Sequence, residues 1–245
     1  MAFRSQKATG AFLALAALLL APAAFAQQEL KYKVRHDHLR KGGEGMLTIT
    51  DQGLSFAEAK KKSHAWSWRW DDIQQLEMGP KTVKVLTYKD NRWKAGADKE
   101  YQFDLISDGT FGEAYASLKD RLDQRFVAEL ADRGVKSEWE IPVKYLKRFG
   151  GSDGLLVIGD DHIVFSTEKP NESRTWRFSD IENISTTGPF QLTLTTYERA
   201  RMHYGDLKGF NFQLKRPLDE GRYNELWRRQ DRSCRIGTER RRSEG

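Results

Sequence analysis

The sequence repeats itself, and this repeat constrains the fold more than any other feature of the chain. Residues 45–56 read GMLTITDQGLSF, and residues 154–165 read GLLVIGDDHIVF. The identical pairs are Gly45/Gly154, Leu47/Leu156, Ile49/Ile158, Asp51/Asp160 and Phe56/Phe165. Self-similarity at a fixed offset indicates duplicated structural units. We therefore expect two domains, at 27–135 (the first repeat) and 136–232 (the second repeat), followed by a tail at 233–245.

Within each repeat, apolar residues alternate with polar residues, which is the pattern of half-buried β-strands. The first repeat has seven such segments, at 30–37, 45–51, 54–59, 64–70, 73–78, 82–89 and 99–106. The apolar spacing then lengthens to three or four residues, which predicts an amphipathic helix over 109–134 and a shorter helix over 217–229. The predicted fold class is mainly β with α: two tandem seven-stranded barrels, each closed by a C-terminal helix.

One short element precedes the fifth strand of both repeats. It has the form Trp-x-x-x-Asp-Ile, from Trp68 to Ile73 and again from Trp176 to Ile181. Seven strands, a closing helix and this element resemble the pleckstrin-homology-like (PH-like) superfold, especially its bacterial PH-like and GRAM-like branches. The resemblance implies a non-catalytic module that binds lipids, peptides or proteins. The basic residues around the first hairpin of each repeat match no specific lipid-binding motif of that family.

The N-terminus has the three parts of a secretory signal peptide. Arg4 and Lys7 form a basic start, an Ala-, Leu- and Phe-rich run covers 11–24, and Ala24-Phe25-Ala26 is an A-x-A cleavage motif. We expect cleavage between Ala26 and Gln27, and an exported mature protein that is periplasmic or secreted. A retained membrane anchor is the alternative, but the apolar run is shorter than the roughly 20 residues that a membrane span needs.

Positive charge is concentrated at the C-terminus. The chain has 41 Lys and Arg against 35 Asp and Glu, but acidic and basic residues balance between 27 and 227. The excess lies in an Arg-rich tail, which we expect to be disordered and able to contact an anionic membrane surface. Because nucleic-acid binding needs a concentrated basic face, the neutral body disfavours a nucleic-acid partner, and binding of nucleic acid through the tail is a minor alternative. The single cysteine, Cys234, excludes an intrachain disulfide.

Candidate binding residues lie on the fourth strand and in the loops between the sixth and seventh strands. Trp66 corresponds to Arg174 of the second repeat, so we expect Trp66 at an exposed rim. In the first repeat, Arg92, Trp93 and Lys94 place an aromatic side chain between two cations, which is typical of interfaces. The same loop of the second repeat carries Arg199, Arg201, His203 and Tyr204. The expected partner is another envelope protein or a peptide.

No sequence pattern points to catalysis, a metal or a cofactor. His36 and His38 share a strand face, but two ligands without a third are a weak metal signal. The recurring pairs Asp51/Asp160 and Asp72/Asp180 precede turns, where an aspartate bonds the local backbone. The competing hypothesis is a secreted enzyme or small-ligand carrier that uses a barrel mouth or the cleft between the domains.

Overall fold

The strands of the first repeat lie where the alternation predicts them. The computed structural model describes residues 29–36, 43–59, 64–91, 96–200 and 206–243, with side chains as far as Ser233. The first seven strands are β1 (Leu30–His36), β2 (Gly43–Thr50), β3 (Gly53–Glu58), β4 (Ala65–Arg69), β5 (Ile73–Met78), β6 (Thr82–Asp90) and β7 (Asp98–Leu105). A 3-10 turn at Trp70–Asp72 separates β4 from β5. All seven predicted strands are therefore confirmed.

A short helix and a short strand connect the repeats, and the second repeat then follows the first closely. The connection contains α1 (Gly112–Leu118) and β8 (Phe126–Ala128). A 3-10 turn at Phe178–Asp180 again follows the fourth strand of the repeat. The elements of the second repeat are β9 (Trp139–Leu146), β10 (Gly151–Ile158), β11 (His162–Ser166), β12 (Arg174–Arg177), β13 (Ile181–Ser185), β14 (Gln191–Arg199), β15 (Leu207–Leu214) and α2 (Glu220–Ser243).

The predicted helix over 109–134 is wrong in its length, because α1 ends at Leu118. The Asp123 carboxylate accepts the Arg125 N–H at 2.9 Å, and the Asp123 carbonyl accepts the Phe126 N–H at 3.0 Å. These bonds form a turn in place of a further helical turn. All three residues of β8 are buried, as suits a strand with neighbours on both sides.

The second helix is longer than predicted. It covers Glu220–Ser243 and so enters the segment for which the sequence predicts a disordered tail. No helix within the described residues is long and apolar enough to cross a membrane.

The 15 strands of the described residues join in one sheet, in the order β13-β14-β15-β9-β10-β11-β12-β8-β5-β6-β7-β1-β2-β3-β4. Each repeat thus has the same internal order, and β8 lies between them. β8 pairs in parallel with β5 and antiparallel with β12. In the described part of the chain, β4 and β13 are the two ends of the sheet. The prediction of a mainly β fold with some α is confirmed, whereas two closed barrels are not.

Each repeat buries its own hydrophobic core. Phe56, Phe103 and Phe111 are fully buried in the first, and Phe165, Phe210 and Phe212 in the second. Trp68 is 3% exposed and its repeat equivalent Trp176 is 2% exposed. The two repeats therefore retain the same large aromatic residue at the same core position.

Two identities of the repeat have a direct structural reason. Gly45 and Gly154 lie under the rings of Phe56 and Phe165 on the neighbouring strand. A Cβ atom would lie 2.3 Å from the Ala57 carbonyl oxygen at Gly45 and 2.4 Å from the Ser166 carbonyl oxygen at Gly154. Only glycine allows this close approach.

The recurring aspartates Asp72 and Asp180 have the structural role that their positions predict. Each ends a 3-10 turn, and its carboxylate accepts a backbone N–H from the residue before the turn. The bond from Arg69 to Asp72 and the bond from Arg177 to Asp180 are both 3.0 Å long. The chain direction therefore changes in the same way after β4 and after β12.

Candidate functional site

Most of the predicted loop residues lie outside the part of the chain that the structure describes. These are Arg92, Trp93 and Lys94 in the first repeat and Arg201, His203 and Tyr204 in the second. Ala26 and Gln27, at the predicted cleavage point, lie outside it as well. Of the candidate binding residues, the structure places Trp66 and Arg199.

Trp66 is half-buried rather than exposed at a rim. Its ring centroid lies 4.8 Å from that of His36, 5.0 Å from that of Tyr101 and 5.4 Å from that of Phe56. The neighbouring aromatic side chains on β1, β3 and β7 explain why the side chain is partly covered. The His36 ring is buried too, and its Nδ1 lies 3.0 Å from the carbonyl oxygen of Gln102.

Arg199 bonds to the other repeat. Its guanidinium donates to Asp98 at 2.7 Å and to the Gln74 side chain at 3.2 Å. Its backbone N–H donates to the side chain of Gln75 at 2.9 Å. All three partners belong to the first repeat, so Arg199 has a structural role in joining the repeats.

A network of ion pairs forms a further contact between the repeats. The Glu129 carboxylate, just after β8, accepts hydrogen bonds from Arg174 at 2.7 Å and from Lys84 at 3.1 Å. Lys84 also donates to Glu77 at 2.7 Å. Burial by itself lowers the pKa of Lys84, but the two carboxylates outweigh it and raise that pKa above its usual range. The Glu129 carboxylate thus joins Lys84 of the first repeat to Arg174 of the second.

Arg177 is a second link between the repeats. Its guanidinium donates to the carbonyl oxygens of Lys119, Leu122 and Asp123, at 3.3, 2.8 and 2.9 Å. It also pairs with Asp180 at 2.7 Å. The carbonyl groups that follow α1 therefore obtain their hydrogen-bond donors from the second repeat.

Asp132 holds the end of the same connection. Its carboxylate accepts hydrogen bonds from Tyr115 at 3.0 Å, from Lys119 at 2.9 Å and from the Gly134 N–H at 2.8 Å. Burial raises the pKa of Asp132, but these donors outweigh it and keep the pKa below its ordinary value. Burial, together with the Asp132 carboxylate, raises the pKa of Tyr115 well above its usual range.

The turn between β9 and β10 presents an exposed aromatic residue among cations. Phe149 is 85% exposed, and the guanidinium carbon of Arg148 lies 5.4 Å from its ring centroid. Lys147 lies beside them and pairs with Glu172 at 2.5 Å. Folding gives little reason to expose a phenylalanine so completely, whereas interfaces use such residues as anchors.

A groove adjoins this turn. Its volume is about 380 Å³, and it crosses the outer face of β9, β15 and β14. Asn211 lies opposite Leu146 on one side and Thr193 on the other, and the Thr193 hydroxyl donates to Asn211 at 2.8 Å. We call the turn and groove together the hairpin surface. It comprises Leu146, Lys147, Arg148, Phe149, Gln191, Thr193 and Asn211.

Sequence reasoning noted the basic residues of this turn but missed Phe149. The available signal was the run Arg148-Phe149-Gly150-Gly151. An aromatic residue followed by two glycines sits in a turn, where it cannot contribute to a strand's buried face.

A larger groove, of about 580 Å³, lies where the connection meets the second repeat. Its side chains carry both charges, including Lys119, Asp120, Lys136 and Asp161. His162 Nδ1 lies 2.5 Å from the Asp161 carboxylate. Within the described residues, no group of three or more His, Cys, Asp or Glu side chains is placed to hold a metal ion.

No family model matches the chain. No curated protein matches it either. Among solved structures, the chain is similar to one described as the structure of the Spt16D Pob3N heterodimer, with 13% sequence identity and a TM-score of 0.28. That match covers 76% of this chain and 97% of the other. A similarity this low assigns neither a family nor a function.

Proposed function

We propose that the chain is an exported, non-catalytic binding protein of the cell envelope, built from two PH-like units. The hairpin surface of the second repeat binds another envelope protein or a peptide. The observation that carries the proposal is Phe149, which is 85% exposed, has the Arg148 guanidinium 5.4 Å from its ring centroid and lies in a turn that adjoins a groove. The common order of seven strands in both repeats supports the PH-like assignment.

The chemistry of the hairpin surface suits a peptide with one apolar side chain and nearby acidic groups. Phe149 and Leu146 offer apolar contact area. Arg148 supplies a positive charge, and Thr193 and Asn211 offer polar groups on the groove floor. Aromatic and arginine side chains of this kind carry most of the binding energy at protein interfaces.

Capture from an envelope extract tests this proposal. Mature protein carrying Phe149→Ala should lose about 2 kcal/mol of binding free energy, which weakens capture roughly 30-fold. Trp227→Ala is the control, because Trp227 is also exposed but lies on α2. Thermal unfolding of both variants should match the wild type.

Three outcomes contradict the proposed binding surface. One is unchanged capture by Phe149→Ala, and another is an equal loss for both variants. The third is that no protein is captured, while the wild type binds anionic but not zwitterionic vesicles and Phe149→Ala does not. That result would assign the surface to membranes instead.

The location of the protein has its own test. Mass spectrometry of the chain purified from its source organism should show that residues 1–26 are absent and that Gln27 is the first residue. An intact N-terminus on most molecules would show that the protein is not processed as an exported protein.

A further inference from the structure

The two repeats differ at the edge of their fourth strand. In the second repeat this edge is covered: Thr175 of β12 lies opposite Ala128 of β8 and is only 5% exposed. The Thr175 hydroxyl donates to the Leu130 carbonyl at 2.8 Å and accepts the Asp132 N–H at 2.9 Å. β8 and the residues that follow it as far as Asp132 therefore cover this side of the sheet.

The equivalent edge in the first repeat is β4. Within the described residues, β4 pairs only with β3 and is the last strand of the sheet. Ser67 corresponds to Thr175, and Arg69 corresponds to Arg177. Both Ser67 and Arg69 are exposed, whereas their counterparts contact the connection. Among the described residues, the surface that β8 covers in the second repeat therefore has no strand paired with it in the first.

We infer that the β4 edge binds a short, extended, apolar peptide segment of a partner protein, which adds to the sheet as a further strand. The segment pairs with β4 as β8 pairs with β12. Ser67 supplies the hydroxyl that Thr175 supplies in the second repeat. This surface is separate from the hairpin surface.

Trp66 determines what the segment carries. Its counterpart Arg174 pairs with Glu129 at 2.7 Å, so the covering segment in the second repeat needs an acidic residue there. At the β4 edge the arginine is replaced by a half-buried tryptophan, whose ring stacks near His64 at 5.9 Å between centroids. An apolar residue therefore takes the place of the acid in the bound segment.

The strand itself is open to such pairing. Edge strands are commonly protected by lysine, proline or inward-pointing charge. The exposed side chains of β4 before Arg69 are Ala65 and Ser67, both small, and neither would obstruct a neighbouring strand. Main-chain hydrogen bonds would supply the affinity, and the residue of the bound segment that contacts Trp66 would supply the selectivity.

Two synthetic peptides test the inference with the full mature chain. One copies residues 124–132, QRFVAELAD, and the other carries Glu129→Leu in the same sequence. Fluorescence anisotropy should show that the leucine peptide binds wild-type protein at least tenfold more tightly than the glutamate peptide. In the Trp66→Arg variant this preference should reverse, because that substitution installs the residue of the second repeat.

A backbone variant places the binding on β4. Ser67→Pro removes one N–H from the edge and should weaken the leucine peptide at least tenfold. Thr193→Ala, on the hairpin surface, should leave peptide binding unchanged. Thermal unfolding checks that each variant is folded, and the Trp66→Arg swap remains decisive if Ser67→Pro does not fold.

Several results would overturn the inference. One is that neither peptide binds. Another is that folded Ser67→Pro binds the leucine peptide as tightly as the wild type does, because the peptide would then lie elsewhere, for example in place of β8 beside β12. Self-association that is lost in Ser67→Pro, without peptide binding, would show that the occupant is a second copy of the chain. Because Phe149→Ala does not alter β4, loss of the hairpin function and loss of peptide binding are distinguishable.

Discussion

Replacement of Arg177 by alanine tests how firmly the second repeat holds the connection from the first. The guanidinium donates to three backbone carbonyls and pairs with Asp180 at 2.7 Å. A hydrogen bond to a charged group contributes about 1.5–3 kcal/mol. The side chain is 21% exposed, so water replaces part of what is lost. We expect Arg177→Ala to lower the free energy of unfolding by about 3–5 kcal/mol, as when one member of a buried ion pair is removed.

Urea unfolding of the mature protein, followed by tryptophan fluorescence and circular dichroism, measures this loss. For a chain of this size, the thermal midpoint should fall by roughly 6 to 20 °C. Arg69→Ala is the matched control, because Arg69 also precedes a 3-10 turn but is exposed. We expect it to change stability by less than about 0.5 kcal/mol. Equal losses in the two variants would refute the reasoning, since they would assign the effect to the turn and not to the contact between repeats.

Three further outcomes are expected. Trp68→Ala should cost about 3–5 kcal/mol in urea unfolding, since it leaves a cavity in the first core, and a loss below about 1 kcal/mol would contradict that placement. The folded-state pKa of Asp132 is lowered, so its stabilisation is complete above pH of about 4 and is lost as pH falls through the folded pKa. The urea midpoint of Asp132→Asn should therefore fall less than that of the wild type between pH 5 and pH 2, roughly, and parallel curves would refute this. Fragments 27–133 and 136–232 should each fold. Fragment 119–232 should have a higher thermal midpoint than 136–232, because it retains β8. Thermal unfolding followed by circular dichroism measures both midpoints, and a lower midpoint for 119–232 would contradict this role of β8.

Period-2 alternation predicts the strands because each strand has one buried and one exposed face. The same logic predicts the core position of Trp68 and the turn role of Asp72, since both depend on local sequence. The strand β8 could not be predicted in this way. Leu122, Phe126 and Leu130 are spaced as on a helix face, and only pairing with β5 and β12 makes the extended form favourable.

The roles of the candidate site residues likewise depend on partners that are distant in the sequence. Arg199 is predicted as a binding residue because it is a cation in a loop. Its hydrogen bond to Asp98, which is distant in the sequence, shows that it joins the repeats instead. Trp66 was expected at a rim because its counterpart is an arginine. The side chain of that arginine is itself only 11% exposed and pairs with Glu129, so a comparison of residue types alone gives the wrong exposure for this position.

The position of β8 has a consequence for how the chain folds as it is synthesised. As the chain emerges from its N-terminal end, every strand of the first repeat becomes free to pair before β12 does, and β8 can pair with β5 as soon as it emerges. The second repeat then meets an existing β-edge, and β12 pairs with it. A defect in the first repeat should consequently remove this edge and lower the stability of the second repeat without unfolding it, whereas a defect in the second should leave the first half native.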